Sequence, residues 1–157
     1  MNSSILLDII PQDLQSKEGK HNFDPCSVPL IGVYFSAHWC GPCKAFTPML
    51  SSFYEAANKE KKQIEIVFVS LDKDQGQFNS YFSTMPWLSV PFENSESREL
   101  LQDTYGIQGI PTFLVFDKTG KCIDQKGRMT VANRYPKNGY DPQRAQTVIN
   151  IWNGIQP

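Results

Sequence analysis

Leu30-Ile31-Gly32-Val33-Tyr34-Phe35 is a nearly all-apolar run with no charge in it. A strand with one wet face would alternate apolar and polar residues. This run does not alternate, so it reads as a strand over Leu30–Phe35 buried on both faces. Such a strand needs a packed layer on each side, which points to helices above and below a sheet. Ile64 to Leu71 makes the same demand as a second buried strand. The 157 residues are 40% hydrophobic, enough for one compact domain with a proper core.

The segments around these strands carry helical periods. Phe46, Met49, Leu50, Phe53, Tyr54 and Ala57 lie on one face of a helix read over 41–59. Pro42 falls in its first turn, where a missing N–H costs little, and Pro48 should kink it. Asp74 caps a second helix, with Gln77 in the capping-box position and Phe78, Tyr81, Phe82 and Met85 as its stripe. Ser95 to Tyr105 is a third helix, ended by Gly106. Asp141-Pro142 opens a last one carrying Val148, Ile149 and Trp152, closed at Gly154. Thr112–Phe116 and Lys121–Asp124 read as strands joined by Asp117-Lys118-Thr119-Gly120, which suits a type I turn. Pro86 to Phe92, bracketed by prolines, reads as a loop or a short edge piece. The fold expected is α/β, a mixed central β-sheet flanked by helices. The whole chain, 1–157, is expected to be one domain: a hairpin-like or irregular lead-in over 1–29, a core over 30–130, and a C-terminal extension with a helix over 131–157.

Trp39-Cys40-Gly41-Pro42-Cys43 sits where the first buried strand gives way to the first long helix. A thiol at a helix start meets the positive end of the helix dipole, which favours its thiolate. A second thiol one turn later can close a disulfide with it. This is the hardware for dithiol–disulfide exchange, with Cys40 as nucleophile and Cys43 as the more buried resolving thiol. The competing reading is half a zinc site completed by Cys26, Cys122, His21 or His38. Structural zinc ordinarily takes a second paired knuckle, and the sequence has none. Cys26 and Cys122 lack a near partner and read as structural or incidental. His38 reads as an exposed loop histidine. A net charge of -1 gives no pull toward nucleic acid or an anionic membrane. No signal peptide and no bilayer-spanning segment are expected, because Ile5-Leu6-Leu7-Asp8-Ile9-Ile10 is short, broken by an acid and preceded by no positive charge. A reducing, cytoplasmic compartment fits a catalytic cysteine pair, with a nuclear or organellar-assembly association left open.

Over roughly residues 28–130 the chain resembles the thioredoxin superfamily. Trp39-Cys40-Gly41-Pro42-Cys43 resembles the thioredoxin active site, and Tyr105-Gly106-Ile107-Gln108-Gly109-Ile110-Pro111-Thr112 the segment leading into its cis-proline. Pro48 matches the helix proline, and Gly127 the glycine lining the substrate groove. Tyr34-Phe35-Ser36-Ala37, Phe46-Thr47-Pro48 and Met85-Pro86-Trp87-Leu88-Ser89-Val90-Pro91-Phe92 are closer still to the tryparedoxin and nucleoredoxin branch.

The resemblance implies a thioredoxin-like fold and a thiol–disulfide oxidoreductase that reduces protein disulfides through Cys40 and Cys43. Trp39, Gly41, Pro42 and Pro111 would support the active site, and Ile110 and Gly127 would line a substrate groove. On the resemblance rests the expectation that Ile110–Pro111 is cis, that Ile110 pairs through its backbone with an extended substrate, and that Gly127 lies on the neighbouring strand. No metal or organic cofactor is implied, because the cysteine pair is itself the redox group. The implied partners of this monomer are oxidised protein substrates and, as electron source, an upstream reductase or a low-molecular-weight thiol. An alternative is a redox-sensing interaction or assembly module with little turnover.

Two departures from the pattern bear on chemistry. The branch usually carries Pro-Pro between the cysteines, where this chain has Gly41-Pro42. Thioredoxins place a buried aspartate where this chain has Tyr34, and a phenol is a poor base at neutral pH. Asp72 is then a candidate to help deprotonate Cys43, against the plainer reading of a solvated strand-end acid. Arg128 is a candidate to meet acidic partners or glutathione-like carboxylates, against a plain surface arginine.

Overall fold

The computed structural model describes residues 5–155. Seven strands make one sheet: β1 (Asp13–Ser16), β2 (Gly19–Asn22), β3 (Leu30–Ser36), β4 (Ile64–Ser70), β5 (Leu88–Ser89), β6 (Thr112–Phe116) and β7 (Cys122–Asp124). Their order across the sheet is β2-β1-β5-β4-β3-β6-β7. β3 and β4 pair in parallel, from Leu30 opposite Ile64 to Ser36 opposite Ser70. A parallel pair needs a crossover, and α2 (Gly41–Ala57) supplies it. On its other side β3 pairs antiparallel with β6.

Every residue of β3 and β4 is buried, Glu65 of β4 included. Alternation sends their side chains to two clusters. Leu30, Tyr34, Ile64, Ile66, Phe68, Phe113 and Val115 join one built with α2, α3 (Gln75–Phe82) and α6 (Pro142–Trp152). Ile31, Val33, Phe35, Val67, Val69, Leu114 and Phe116 join the other, with α1 (Ile5–Ile9) and α4 (Ser95–Thr104). The caps follow the sequence reading. The Gln77 N–H donates to Asp74 Oδ1 at 2.8 Å, and the Arg144 N–H to Asp141 Oδ1 at 2.7 Å. The 117–120 turn closes with the Gly120 N–H on the Asp117 carbonyl, glycine taking φ 88°.

One expectation needs correction. The segment Pro86–Phe92 contains β5, which lies inside the sheet between β1 and β4 rather than at an edge. Its prolines stand just outside the paired residues, so they delimit the strand without removing a ladder donor. In the lead-in, α1 and the β1–β2 hairpin cover the second cluster with Leu6, Ile10 and Leu14. A short helix absent from the sequence reading, α5 (Gly127–Ala132), follows β7; no side chain caps its start.

The far end of α2 is clamped to β4 by a polar contact. The Tyr54 hydroxyl donates to Glu65 Oε1 at 2.7 Å, and Lys62 Nζ reaches Glu65 Oε2 at 3.2 Å. Glu65 is buried, so its carboxylate depends on these donors and on the Ile66 N–H, which reaches Oε1 at 3.0 Å. Tyr54→Phe should therefore destabilise the fold by about 1–3 kcal/mol. Lys62→Ala, whose side chain is 45% exposed, should cost less, about 0–1 kcal/mol. Urea denaturation of both variants checks the order; a larger loss from Lys62→Ala would contradict this account of the clamp.

Candidate active site

β3 ends at Ser36 and α2 begins at Gly41, so the cysteine motif falls at one end of the sheet. β6 runs antiparallel to β3 with Thr112 opposite Phe35, which brings the segment before β6 to the same end. Cys40 is itself the N-cap of α2. Its backbone is extended (φ -94°, ψ 115°) and its Sγ accepts the Cys43 N–H at 3.3 Å. A short oxygen side chain usually fills that place; here a sulfur does. Cys40 and Cys43 are joined as a disulfide, their Cα atoms 5.2 Å apart. Cys43 is fully buried, whereas Cys40 keeps 7% of its surface. The Ile110–Pro111 bond is cis, and the Ile110 carbonyl oxygen lies 3.8 Å from Cys40 Sγ. The Thr112 hydroxyl donates to the Gly109 carbonyl at 2.6 Å and braces this turn.

The loop between β3 and α2 is stitched to the end of β4. The His38 N–H donates to Asp72 Oδ1 at 2.6 Å, and the Trp39 indole N–H to the Leu71 carbonyl at 3.1 Å. The Ser70 hydroxyl donates to the other Asp72 oxygen at 2.6 Å. Asp72 is therefore buried and not the solvated acid of the plainer reading. One of its oxygens holds the loop that carries Cys40, and the other is held by Ser70 of β4. Trp39 stays 51% exposed beside the disulfide, with Lys73 Nζ 5.9 Å from its ring. His38 is half-buried, edge-on to the Tyr81 ring at 6.0 Å, rather than free in solvent.

Gly127 is the first residue of α5 and does not lie on a strand. A Cβ there would stand 2.7 Å from the Phe113 carbonyl oxygen, so the glycine lets α5 close on the start of β6. Gly41, by contrast, has nothing within 4 Å of where a Cβ would be. Arg128 is exposed on α5. Cys26 is exposed on a 3-10 turn, and burial pushes the Cys122 thiol up in pKa. Among the described residues no three His, Cys, Asp or Glu side chains gather as a metal site, and no helix is long and apolar enough to cross a membrane.

The sequence reading missed a set of buried hydroxyls beneath Cys43. Tyr34 OH lies 2.7 Å from Thr47 Oγ1, which lies 2.6 Å from Tyr81 OH, which lies 2.6 Å from Ser36 Oγ. The Thr47 hydroxyl donates to the Cys43 carbonyl at 2.8 Å. Burial, reinforced by Tyr81 nearby, drives the Tyr34 pKa far above that of a free phenol, so it stays protonated. The one signal in the sequence was polarity out of place. Ser36 ends a buried strand and Thr47 falls on the apolar side of α2, where a hydroxyl needs a partner.

A thioredoxin-like family model matches residues 29–122, more than half of the chain. Nucleoredoxin of Bos taurus is 42% identical over 142 residues, which is 89% of this chain but 30% of that protein. The chain thus spans less than a third of the nucleoredoxins it matches. Tryparedoxin of Trypanosoma brucei brucei is 36% identical over 120 residues, 76% of this chain and 83% of that protein. A solved structure of tryparedoxin II complexed with glutathionylspermidine superposes with TM-score 0.74 at 30% identity, covering 82% of this chain and 91% of its own.

The two glycines should respond oppositely to a methyl group. Gly127→Ala forces α5 off β6 and should cost about 1–3 kcal/mol. Gly41→Ala meets open space and should be neutral or stabilise by up to about 1 kcal/mol. Thermal denaturation of the oxidised proteins distinguishes them, and equal losses would refute the packing argument.

Proposed function

This chain belongs to the thioredoxin-like family, in its tryparedoxin and nucleoredoxin branch, and from that premise we propose that it is a thiol–disulfide oxidoreductase that reduces protein disulfides. The observation that carries the reading is the Cys40–Cys43 disulfide at the N-terminus of a 17-residue helix, with Cys40 the more accessible sulfur. In the reduced protein the Cys40 thiolate attacks one sulfur of a substrate disulfide. A bond forms between Cys40 Sγ and that sulfur, and the other leaves as a thiolate. Cys43 then loses its proton to solvent and attacks Cys40 Sγ, which restores the disulfide and releases reduced substrate. Two electrons pass to the substrate in each cycle.

The helix start favours the attacking form of Cys40. Its sulfur already takes an N–H from Cys43, and the dipole contributes about 0.5–2 kcal/mol. Ile110 beside the cis bond holds an extended substrate segment through its N–H and carbonyl, with Pro111 buried behind it. Trp39 offers an exposed docking face, and Gly127 lets α5 pack closely on β6 beside the Ile110–Pro111 segment. Exposed Arg128 is free to meet an acidic group on a partner. The protein works as a monomer in a reducing, cytoplasmic environment, where the dithiol is regenerated. A low-molecular-weight thiol is the favoured electron source, a choice supported by the tryparedoxin II complex with glutathionylspermidine.

Insulin reduction in the presence of dithiothreitol should proceed well above the uncatalysed rate. Cys43→Ser should accumulate mixed disulfides with substrate, whereas Cys40→Ser should accumulate none. Turnover at the dithiothreitol background would instead favour a redox-sensing interaction module. Faster iodoacetamide labelling of Cys43 than of Cys40 would reverse the assigned roles.

A further inference from the structure

Four hydroxyl groups meet under the resolving cysteine, and all four side chains, Tyr34, Ser36, Thr47 and Tyr81, are more than nine-tenths buried. A hydroxyl has one proton to give and two positions at which to accept. Thr47 gives its proton to the Cys43 carbonyl at 2.8 Å. Both phenols must then donate to Thr47 Oγ1, Tyr34 at 2.7 Å and Tyr81 at 2.6 Å. With the Tyr81 proton committed, Ser36 must donate to Tyr81 at 2.6 Å. The direction of the chain is therefore fixed, and every proton in it points toward the backbone of Cys43. Tyr34 OH also lies 3.5 Å from that carbonyl, too far to compete.

The chain joins three elements at one atom. Tyr34 and Ser36 belong to β3, Thr47 to α2 and Tyr81 to α3. Their shared target is the carbonyl of the residue whose sulfur must strike Cys40. We infer that Thr47 and Tyr81 are positioning residues for Cys43, holding its backbone in register with Cys40 so that resolution of the mixed disulfide is fast. Aligned hydroxyls in a dry interior strengthen one another, so loss of one loosens the rest. Geometry of this kind acts on the attack itself and not on the ionisation of the thiol.

The inference rests on Cys43 being the resolving thiol, and its test needs no protein substrate. In a Cys26→Ser, Cys122→Ser background, the reduced protein is mixed with DTNB. Cys40 thiolate attacks the reagent disulfide, forming Cys40–S–S–aryl and releasing one thionitrobenzoate. Cys43 then attacks Cys40 Sγ, forming the Cys40–Cys43 disulfide and releasing the second, while its proton goes to solvent. Thr47→Val should slow the second release about tenfold, with the first changed less than about twofold. Tyr81→Phe should slow the second release by about threefold, and Thr47→Ser should bring it back to within about twofold of the parent. The pH profile of the second release should keep its midpoint in Thr47→Val and lose only its plateau. An unchanged second release in both Thr47→Val and Tyr81→Phe overturns the inference. So does a deficit that vanishes at high pH, which would mark a proton-transfer role. If the second release behaves as expected while insulin turnover is absent, the positioning role stands and the proposed reductase activity fails.

Discussion

Complete burial of β3 is the constraint from which the rest of the arrangement follows. Its side chains leave no wet face, so helices must cover both sides of the sheet. Its parallel neighbour β4 can be reached only by a crossover, and that crossover is α2. The chain therefore leaves the sheet at the end of β3 and starts a long helix within a few residues. Whatever sits in that short connection is placed at a helix N-terminus on the rim of the sheet. The antiparallel pairing of β6 brings Ile110 and Pro111 to the same rim. Two stretches far apart in sequence meet at Cys40 for reasons of topology.

What was legible in the sequence was what each segment says about its own surroundings. The long strands, α2 and α6 announced themselves by apolar runs, periods and caps. β5 did not, because two residues acquire strand character only from Gln15 on one side and Val67 on the other. Asp72 looked like a strand-end acid because nothing local reveals that the His38 N–H needs an acceptor there. Gly127 was marked by resemblance as a groove residue, yet its cause is the Phe113 carbonyl that leaves no room for a Cβ. The hydroxyl chain is the sharpest case. Tyr81 reads as one more member of an apolar stripe until Ser36 and Thr47 are seen to close on it.

α2 is held to the sheet by two polar clamps on one face. Thr47 and Tyr54 are seven residues apart, two helical turns, or about 10.5 Å along the axis. Between them Leu50 and Phe53 pack into the core without directional preference. Apolar contacts tolerate a small slide or roll of a helix; hydrogen bonds with fixed partners do not. Tyr34 fixes one end through Thr47, and Glu65 fixes the other through Tyr54. A helix secured in this way can carry a reactive sulfur at its first turn without letting the geometry drift.

The use of a sulfur as the N-cap couples redox state to the helix itself. A thiolate accepts the Cys43 N–H more strongly than a disulfide sulfur does, because the bond becomes charge-assisted. The contact thus stabilises the reduced form, which moves the pair toward a more oxidising potential. The Ile110 carbonyl oxygen, 3.8 Å from the same sulfur, acts the other way, since its partial negative charge disfavours a thiolate. Cys40 sits between a donor that charges it and an acceptor that opposes the charge. The two contacts come from different parts of the fold, the first turn of α2 and the segment before β6, so the surroundings of this sulfur depend on how those elements pack.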